Sequence, residues 1–430
     1  MKLSHTSSLR GEITVPGDKS ISHRSIMLGS IATGKTEISG FLKSADCIST
    51  MNAFRAMGIE ITEENDIITV NGKGLYGLQA PNETIDCGNS GTTTRILSGI
   101  LAGQSFETTL TGDESIQKRP MKRVIDPLSE MGASITSVKG NGCAPLNIKP
   151  SQLHGTHITT KVASAQVKSA VILAGLYADG ETTLTEPSLS RNHTELMLSS
   201  FGADIRSGSF EDPTAVIVPG NELHGQKITV PGDISSAAYF IGAGLITPDS
   251  EILVKNVGIN PTRDGLIRVF KAMNANLELL NVREVAGEKV ADILVKTSEL
   301  KGTEISGDII PTLIDELPLI AVVATQAEGE TVIKDAAELK VKESNRIDLT
   351  VNNLKAMGAD AEATDDGMII RGKSELHHAQ INTAKDHRIA MSFSIASLIN
   401  ADVQPVDILD AGCVNISYPE FYKDLDSLKK

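Results

Sequence analysis

The stretch Ile13-Thr14-Val15-Pro16-Gly17-Asp18-Lys19-Ser20-Ile21-Ser22-His23-Arg24 sets two cations and several hydroxyls beside an expected helix start. A helix start offers free backbone N–H groups and the positive end of the helix dipole, so the chemistry on offer is anion binding. The competing reading is a strand-turn-helix joint with solvated surface cations. Asp86-Cys87-Gly88-Asn89-Ser90-Gly91-Thr92-Thr93-Thr94-Arg95 has the parts of an anion cradle, namely backbone N–H groups, hydroxyls and close approach at Gly91; small-residue helix caps look the same. Gln117-Lys118-Arg119-Pro120-Met121-Lys122-Arg123 is dense in cations. Arginine grips a carboxylate or phosphate with two parallel N–H groups, although a solvated helix start would also be cationic.

Further along, Ala163-Ser164-Ala165-Gln166-Val167-Lys168-Ser169 opens an apolar helix. Capping explains Ser164 and leaves Gln166 free. Arg191-Asn192-His193-Thr194-Glu195 opens the next helix, with His193 read as a surface residue. Asp315 and Glu316 precede the apolar run Leu319–Ala324; they serve as helix-start acids or as a general base. In Glu338–Arg346, Lys342 and Arg346 would share a helix face at i, i+4, with Glu343 three residues before Arg346. An exposed charged helix is the alternative. Asp386-His387-Arg388 places one more arginine at a helix start.

Gly29-Ser30-Ile31-Ala32-Thr33-Gly34-Lys35-Thr36 matches the phosphate-loop pattern of nucleotide-dependent kinases literally. That mechanism needs a strand before the loop and a helix after it. The order expected here is the reverse, so the match is read as accidental. His154, His157 and the pair His377-His378 lack partners at metal-ligand spacing, and no metal site is expected.

These residues need elements to hold them. Ile13–Val15 reads as a strand and Pro16-Gly17 as its turn. Asp18, Ser20 and Ser22 are candidate caps of a helix buried through Ile21, Ile26, Met27, Leu28 and Ile31, with Gly34 as its stop. Ile228–Asp233 repeats I-T-V-P-G-D halfway along the chain, but Ile234-Ser235-Ser236-Ala237-Ala238 follows without a cation. The charge chemistry is therefore assigned to the first copy. A second pattern recurs at Met57-Gly58, Met131-Gly132, Phe201-Gly202, Met273-Asn274 and Met357-Gly358. Each closes an amphipathic helix and leads into strand, turn and strand. Such a period is a structural repeat. A sixth block is expected around Ala390–Asp410 without the marker.

A chain of 430 residues suggests two or three domains. Net charge of −14 and aromatic content of 3% without tryptophan oppose nucleic-acid and anionic-membrane partners. A local cationic cleft can still act inside an acidic protein. The four cysteines form no C-x-x-C, and neither an apolar leader nor a membrane-length run is present. A cytoplasmic location is expected.

In order along the chain, Pro16–Arg24, Gly88–Thr92, Arg119–Met121, Ser164–Lys168, Ile314–Glu316, Val341–Arg346 and Asp386–Met391 resemble the motifs of the 5-enolpyruvylshikimate-3-phosphate synthase family. The resemblance implies an α/β fold of two similar domains, each of three β-α-β-α-β-β repeats (an inside-out α/β barrel), with the active site in the interdomain cleft. The expected division is 16–227 for the first domain and 1–15 plus 228–430 for the second.

It also implies transfer of the enolpyruvyl group of phosphoenolpyruvate to the 5-hydroxyl of shikimate 3-phosphate, with release of phosphate, by a monomer needing no cofactor. Lys19, Ser20, Arg24, Ser164, Ala165, Gln166, Arg191, Asp315 and Lys342 are implied to bind shikimate 3-phosphate. Lys19, Gly91, Arg119, Gln166, Arg346 and Arg388 are implied to bind phosphoenolpyruvate. Asp315, Glu343 and Lys19 are the implied catalytic residues. Asp315 would take the proton of the attacking hydroxyl, and Glu343 would protonate the methylene carbon. Space beside Gly91 implies susceptibility to glyphosate. Two departures stand out. Asn345 occupies a position where Asp is common, and Val414–Pro419 has no Lys before its aromatic-proline pair.

Overall fold

The computed structural model describes residues 1–285 and 287–430. The chain divides into two compact units. One, here the N-unit, is Gly17–Val230 with Val285–Glu288; the other, the C-unit, is Met1–Pro16, Pro231–Glu284 and Lys289–Lys430. The expected cut at 227/228 falls three residues early. Lys227–Thr229 pairs in parallel with Glu37–Ser39 and so stays with the N-unit. The strand Arg10–Thr14 pairs in parallel with Glu251–Lys255 in the C-unit. The chain thus changes unit at each Pro-Gly-Asp turn. Gly17 is required at the first one, because a Cβ there would lie 1.9 Å from the Gly40 carbonyl oxygen.

The N-unit holds three four-stranded sheets. Their strands run Lys227–Thr229, Thr33–Ser39, Ile67–Lys73, Glu60–Glu64; then Ile85–Asp86, Thr108–Thr111, Leu146–Lys149, Ser134–Ser137; then His157–Thr159, Thr182–Thr185, Thr214–Val218, Asp204–Arg206. In each sheet the first two strands are parallel and the rest antiparallel. In the second and third sheets a buried helix, Gly91–Ala102 or Ala165–Gly175, runs between the parallel strands, whereas in the first the buried helix Lys19–Ile31 precedes Thr33–Ser39, whose parallel partner Lys227–Thr229 comes from the end of the unit. An amphipathic helix precedes each hairpin: Ala45–Ala56, Lys122–Glu130 or His193–Phe201. The C-unit repeats the pattern with buried helices Ile234–Ile246, Leu317–Ala324 and His387–Ala396.

The repeat markers have one cause. Gly58, Gly132, Gly202 and Gly358 all have φ between +82° and +100°, and Asn274 takes the same left-handed region at +67°. Glycine, and next to it asparagine, tolerates that conformation at a helix end. Met57, Met131, Phe201, Met273 and Met357 are each buried beside it.

The sixth sheet differs because its hairpin is missing. Gln380–Ile381 and Val406–Ile408 are parallel, and Lys2–Leu3 from the chain start supplies the antiparallel partner. Gly34 is not the helix stop. The helix ends at Ile31 and Thr33–Ser39 follows as a strand, with Gly34 at φ +91° inside it. Gly29–Thr36 is therefore helix then strand, and Lys35 pairs with Glu37 at 2.6 Å. That arrangement excludes a phosphate loop.

Candidate functional site

In the N-unit, Asp18 caps the first helix by accepting from the Ile21 N–H at 2.9 Å. Ser22 is spent elsewhere, its hydroxyl accepting from the Leu42 N–H at 3.1 Å. The capped turn fixes Lys19, Ser20 and Arg24 on neighbouring turns. Lys19 forms an ion pair with Asp46. Arg24 is buried and donates to Thr194 Oγ1 at 2.6 Å, to Ser169 Oγ at 2.7 Å and to the Ser20 carbonyl at 3.0 Å. These bonds tie the first helix to Ala165–Gly175 and His193–Phe201. Burial lowers the Arg24 pKa to about 10, against the opposing pull of Glu195 and Asp18, and the nearby Arg191 lowers it too. It remains a cation at neutral pH. Beneath it, buried Lys168 pairs with Glu195 at 2.9 Å and Glu186 at 3.2 Å. Glu186 also accepts from the Ser164 N–H at 2.7 Å, so the start of the Ala165–Gly175 helix is fixed by a buried carboxylate rather than by Ser164's own hydroxyl.

The second group in this unit surrounds Gly91. Ser90 caps Gly91–Ala102 by accepting from the Thr93 N–H at 3.0 Å. Arg119 donates to Asn89 Oδ1 at 2.7 Å and to Ser115 Oγ at 3.2 Å. Of its cationic neighbours, Lys118 and Lys122 are exposed, with surface partners Glu114 and Asp126. Arg95 donates to Gln166 Oε1 at 2.7 Å. A Cβ on Gly91 would lie 2.9 Å from Arg95 Nη1 and 3.4 Å from Arg119 Nη1. Gly91 does not have a positive φ, so alanine costs space here rather than backbone strain. Gly91→Ala should remain folded yet weaken the hold on an anion beside Arg95 and Arg119 about ten- to hundredfold, the ~1.5–3 kcal/mol of one displaced charge-assisted hydrogen bond. Steady-state kinetics checks this; an unchanged KM for the anionic reactant would mean that the anion lies elsewhere.

A buried hydroxyl chain joins the two groups. Thr93 donates to Ser90 Oγ at 2.7 Å. Its one hydrogen being used, it accepts from Thr50 at 2.7 Å, and Thr50 in turn accepts from His23 Nδ1 at 2.7 Å. His23 therefore carries a proton on Nδ1.

In the C-unit, Asp386 caps the helix His387–Ala396 by accepting from the Arg388 N–H at 2.9 Å. It also accepts from Arg346 Nε at 2.8 Å and from the Ser344 hydroxyl at 2.9 Å. Arg346 is 1% exposed and reaches Glu343 Oε2 at 2.6 Å and Asp315 Oδ1 at 3.3 Å. Lys342 lies 3.7 Å from Asp315 Oδ1, and Arg388 lies 3.9 Å from Asp315 Oδ2 and 3.6 Å from Glu316. Asp315 is therefore ringed by three cations. Burial opposes the charge on Arg346, but Glu343 and Asp386 outweigh it and raise its pKa. Arg388 is likewise raised, burial being outweighed chiefly by Asp315. Glu316, buried, accepts from Ser235, which in turn accepts from Arg263 at 2.7 Å; Arg263 also meets Asp233 at 3.1 Å. The second Pro-Gly-Asp copy is closed from within the unit.

Three expectations are corrected. Residues 342–345 are not helical. A 3-10 turn ends at Val341 and the helix begins at Arg346, so Lys342 and Arg346 converge through Asp315 rather than along a helix face. His193 is buried, its Nδ1 2.6 Å from Glu288 Oε1. Asp315 and Glu316 do not cap the following helix with their side chains; Glu316 stands at its N-cap without such a bond. Asn345 caps Arg346–Ala356, a role Asp fills equally well. Tyr418, from the segment lacking Lys, is buried with its hydroxyl on Asp424 at 2.7 Å. Sequence reasoning missed Asp46, Asp386 and Arg95 as partners. Arg95, one helical turn beyond Gly91, was the findable one. Among the described residues no group of three His, Cys, Asp or Glu could hold a metal, and no helix is long and apolar enough to cross a membrane.

Burial also holds two site histidines neutral. His23 is lowered to about 3, by burial first and then Lys19; His387 to about 4, by burial and then Arg388. Both folded values lie below the ordinary ~6.5 of an unfolded histidine. The unfolded chain therefore gains protons first as pH falls, and this stability is present above ~6.5 and lost below it, down to about 4 for His387 and about 3 for His23. The slope is up to ~1.4 kcal/mol per pH unit for each histidine. Urea unfolding at pH 7.5 and 5.0 should show the loss, while ring NMR at pH 5.5 should show both imidazoles neutral in the folded state. An imidazolium signal from either would overturn the assignment.

Comparison with known proteins gives one family. The family model for EPSP synthase (3-phosphoshikimate 1-carboxyvinyltransferase) matches residues 3–425. The 3-phosphoshikimate 1-carboxyvinyltransferase of Bacillus velezensis is 51% identical, covering 100% of both chains. That of Thermoanaerobacter sp. strain X514 is 56% identical over 98% of each. Among solved structures, an EPSP synthase from Acinetobacter baumannii superposes with a TM-score of 0.90 at 44% identity, over 100% of this chain and 97% of that one. The enolpyruvyl transferase NikO from Streptomyces tendae, at 17% identity and TM-score 0.80 over 99% and 96%, shares the fold.

Proposed function

The chain belongs to the EPSP synthase family, and from that membership we propose that it transfers the enolpyruvyl group of phosphoenolpyruvate to the 5-hydroxyl of shikimate 3-phosphate, releasing phosphate, in the shikimate pathway. We propose further that the cationic groups of both units act on this one pair of reactants. Lys19, Ser20, Arg24, Ser164, Ala165, Gln166, Arg191 and Lys342 serve shikimate 3-phosphate. Gly91, Arg119, Arg346 and Arg388 serve phosphoenolpyruvate, with Lys19 and Gln166 near both. The observation that carries the chemistry is Asp315 set among Lys342, Arg346 and Arg388.

Those cations hold the carboxylate where a hydroxyl proton must be taken. Anionic reactants compete for the same cations, so their arrival loosens Asp315 for work as a base. Glu343, whose carboxyl group meets Arg346 at 2.6 Å, takes up a proton when the anionic reactants draw that arginine to themselves, and delivers it to the methylene carbon of phosphoenolpyruvate. C2 becomes electrophilic, the 5-oxygen bonds to it, and a tetrahedral adduct forms. Elimination then removes a methyl proton and breaks the C–O bond to phosphate. Glu343 is the base for that step, reversing its role. The departing phosphate takes up the proton that Asp315 removed from the hydroxyl, so both carboxyl groups return to their starting states, and the chain's own side chains supply the proton transfers and the charge stabilisation. Glyphosate competes with phosphoenolpyruvate beside Gly91.

The test is a product assay. Protein with phosphoenolpyruvate and an equimolar mixture of shikimate 3-phosphate and a UDP-amino sugar should convert the first acceptor alone into its enolpyruvyl ether, identified by mass. Conversion of the UDP-sugar, or of neither, contradicts the reading.

A further inference from the structure

Arg95 joins three stretches that the proposed phosphoenolpyruvate site needs. It lies one turn into the helix that Gly91 begins and is 9% exposed. Its Nη1 donates to Gln166 Oε1 at 2.7 Å, and its Nη2 donates to the Pro120 carbonyl at 3.3 Å, the residue after Arg119. The same Nη1 borders the space kept open by Gly91, at 2.9 Å from where a Cβ would stand.

The chemistry of the Gln166 contact has one consequence. A guanidinium only donates hydrogen bonds, whereas an amide has one accepting and one donating end. Arg95 therefore fixes the amide with its oxygen inward. The amide nitrogen then donates to Thr92 Oγ1 at 3.1 Å, and it carries a second N–H. With the inward side taken by Arg95, that second hydrogen is a donor for an anionic oxygen. An amide turned over would present a carbonyl lone pair to the same anion and repel it. Gln166 alone has no reason to choose. The hold on the Pro120 carbonyl acts in the same direction, since it fixes the backbone that carries Arg119.

We infer that Arg95 is a positioning residue for phosphoenolpyruvate, acting by fixing the Gln166 amide with its N–H side toward the anion and by anchoring the Arg119–Pro120 backbone. The inference rests on the proposed function for the identity of the anion.

The experiment compares wild type, Arg95→Met, Arg95→Lys, Gln166→Ala and the two Arg95/Gln166 double variants. Phosphoenolpyruvate affinity is measured by calorimetry with shikimate 3-phosphate present, and KM and kcat are measured separately. Arg95→Met should raise the KM and Kd for phosphoenolpyruvate about ten- to hundredfold, with kcat changed much less. Arg95→Lys, which still donates to the amide oxygen, should recover part of that loss. In the Gln166→Ala background either Arg95 change should cost clearly less than it does in wild type. If the Arg95 and Gln166 effects multiply independently, within about twofold, and lysine gives no rescue, Arg95 is a packing residue and the inference is wrong. Should Arg95→Met fail to fold, Arg95→Lys with and without Gln166→Ala decides the same coupling. Wild type that binds phosphoenolpyruvate without turnover would remove the proposed function and leave the affinities to judge Arg95. Wild type that does not bind it would remove both.

Discussion

Arg346→Ala should abolish turnover and cost the fold ~3–5 kcal/mol, the typical effect of breaking a buried ion pair from one side. The guanidinium is 1% exposed and holds Asp386, itself 0% exposed, through Nε at 2.8 Å. Alanine leaves that carboxylate buried without its cation. It also frees Glu343 and Asp315 from the contacts at 2.6 and 3.3 Å that orient them. Loss of activity alone would then be ambiguous, and Arg346→Lys separates the two effects. Lysine keeps the charge beside Asp386 but not the planar fork that reaches three carboxylates at once. It should recover much of the stability measured by urea unfolding while kcat/KM stays low. An alanine variant as stable as wild type would mean that Asp386 finds another partner. A lysine variant of normal activity would mean that the fork does not orient the reactants.

Asp315→Asn should lower kcat by about 10²–10⁴, the usual contribution of a positioned general base. The amide keeps the shape of the carboxylate, so the fold should survive. Removing a negative charge from among Lys342, Arg346 and Arg388 leaves more positive charge for an anionic reactant. The KM for phosphoenolpyruvate should therefore stay level or fall. This split between kcat and KM is the diagnostic. A variant with normal kcat and a raised KM would make Asp315 a binding residue and move the base elsewhere.

The repeat was legible because each block closes on the same backbone demand, a left-handed residue after a buried Met or Phe. Asn274 standing for glycine kept that signal readable. The motif cations were legible too, since the residue types state their chemistry before any geometry is known. Pairings between distant residues were not. Nothing local shows that Lys2–Leu3 completes the last sheet or that Lys227–Thr229 pairs with the strand at Glu37–Ser39. His193 read as a surface residue because its partner, Glu288, lies far along the chain. The irregular turn at 342–345 was hidden by charges whose spacing fits a helix, and only their common partner Asp315 shows why the backbone departs from one. Arg95 went unweighted because its role depends on Gln166, in another repeat.

The most direct test is phosphate release followed continuously with each reactant alone and with both together. Phosphate is expected only when phosphoenolpyruvate and shikimate 3-phosphate are both present, at a rate unaffected by a chelator, and almost none from Arg119→Ala in the N-unit or Arg346→Ala in the C-unit. Release from phosphoenolpyruvate alone, or full activity after either substitution, would contradict the claim that the charges of both units serve one reaction.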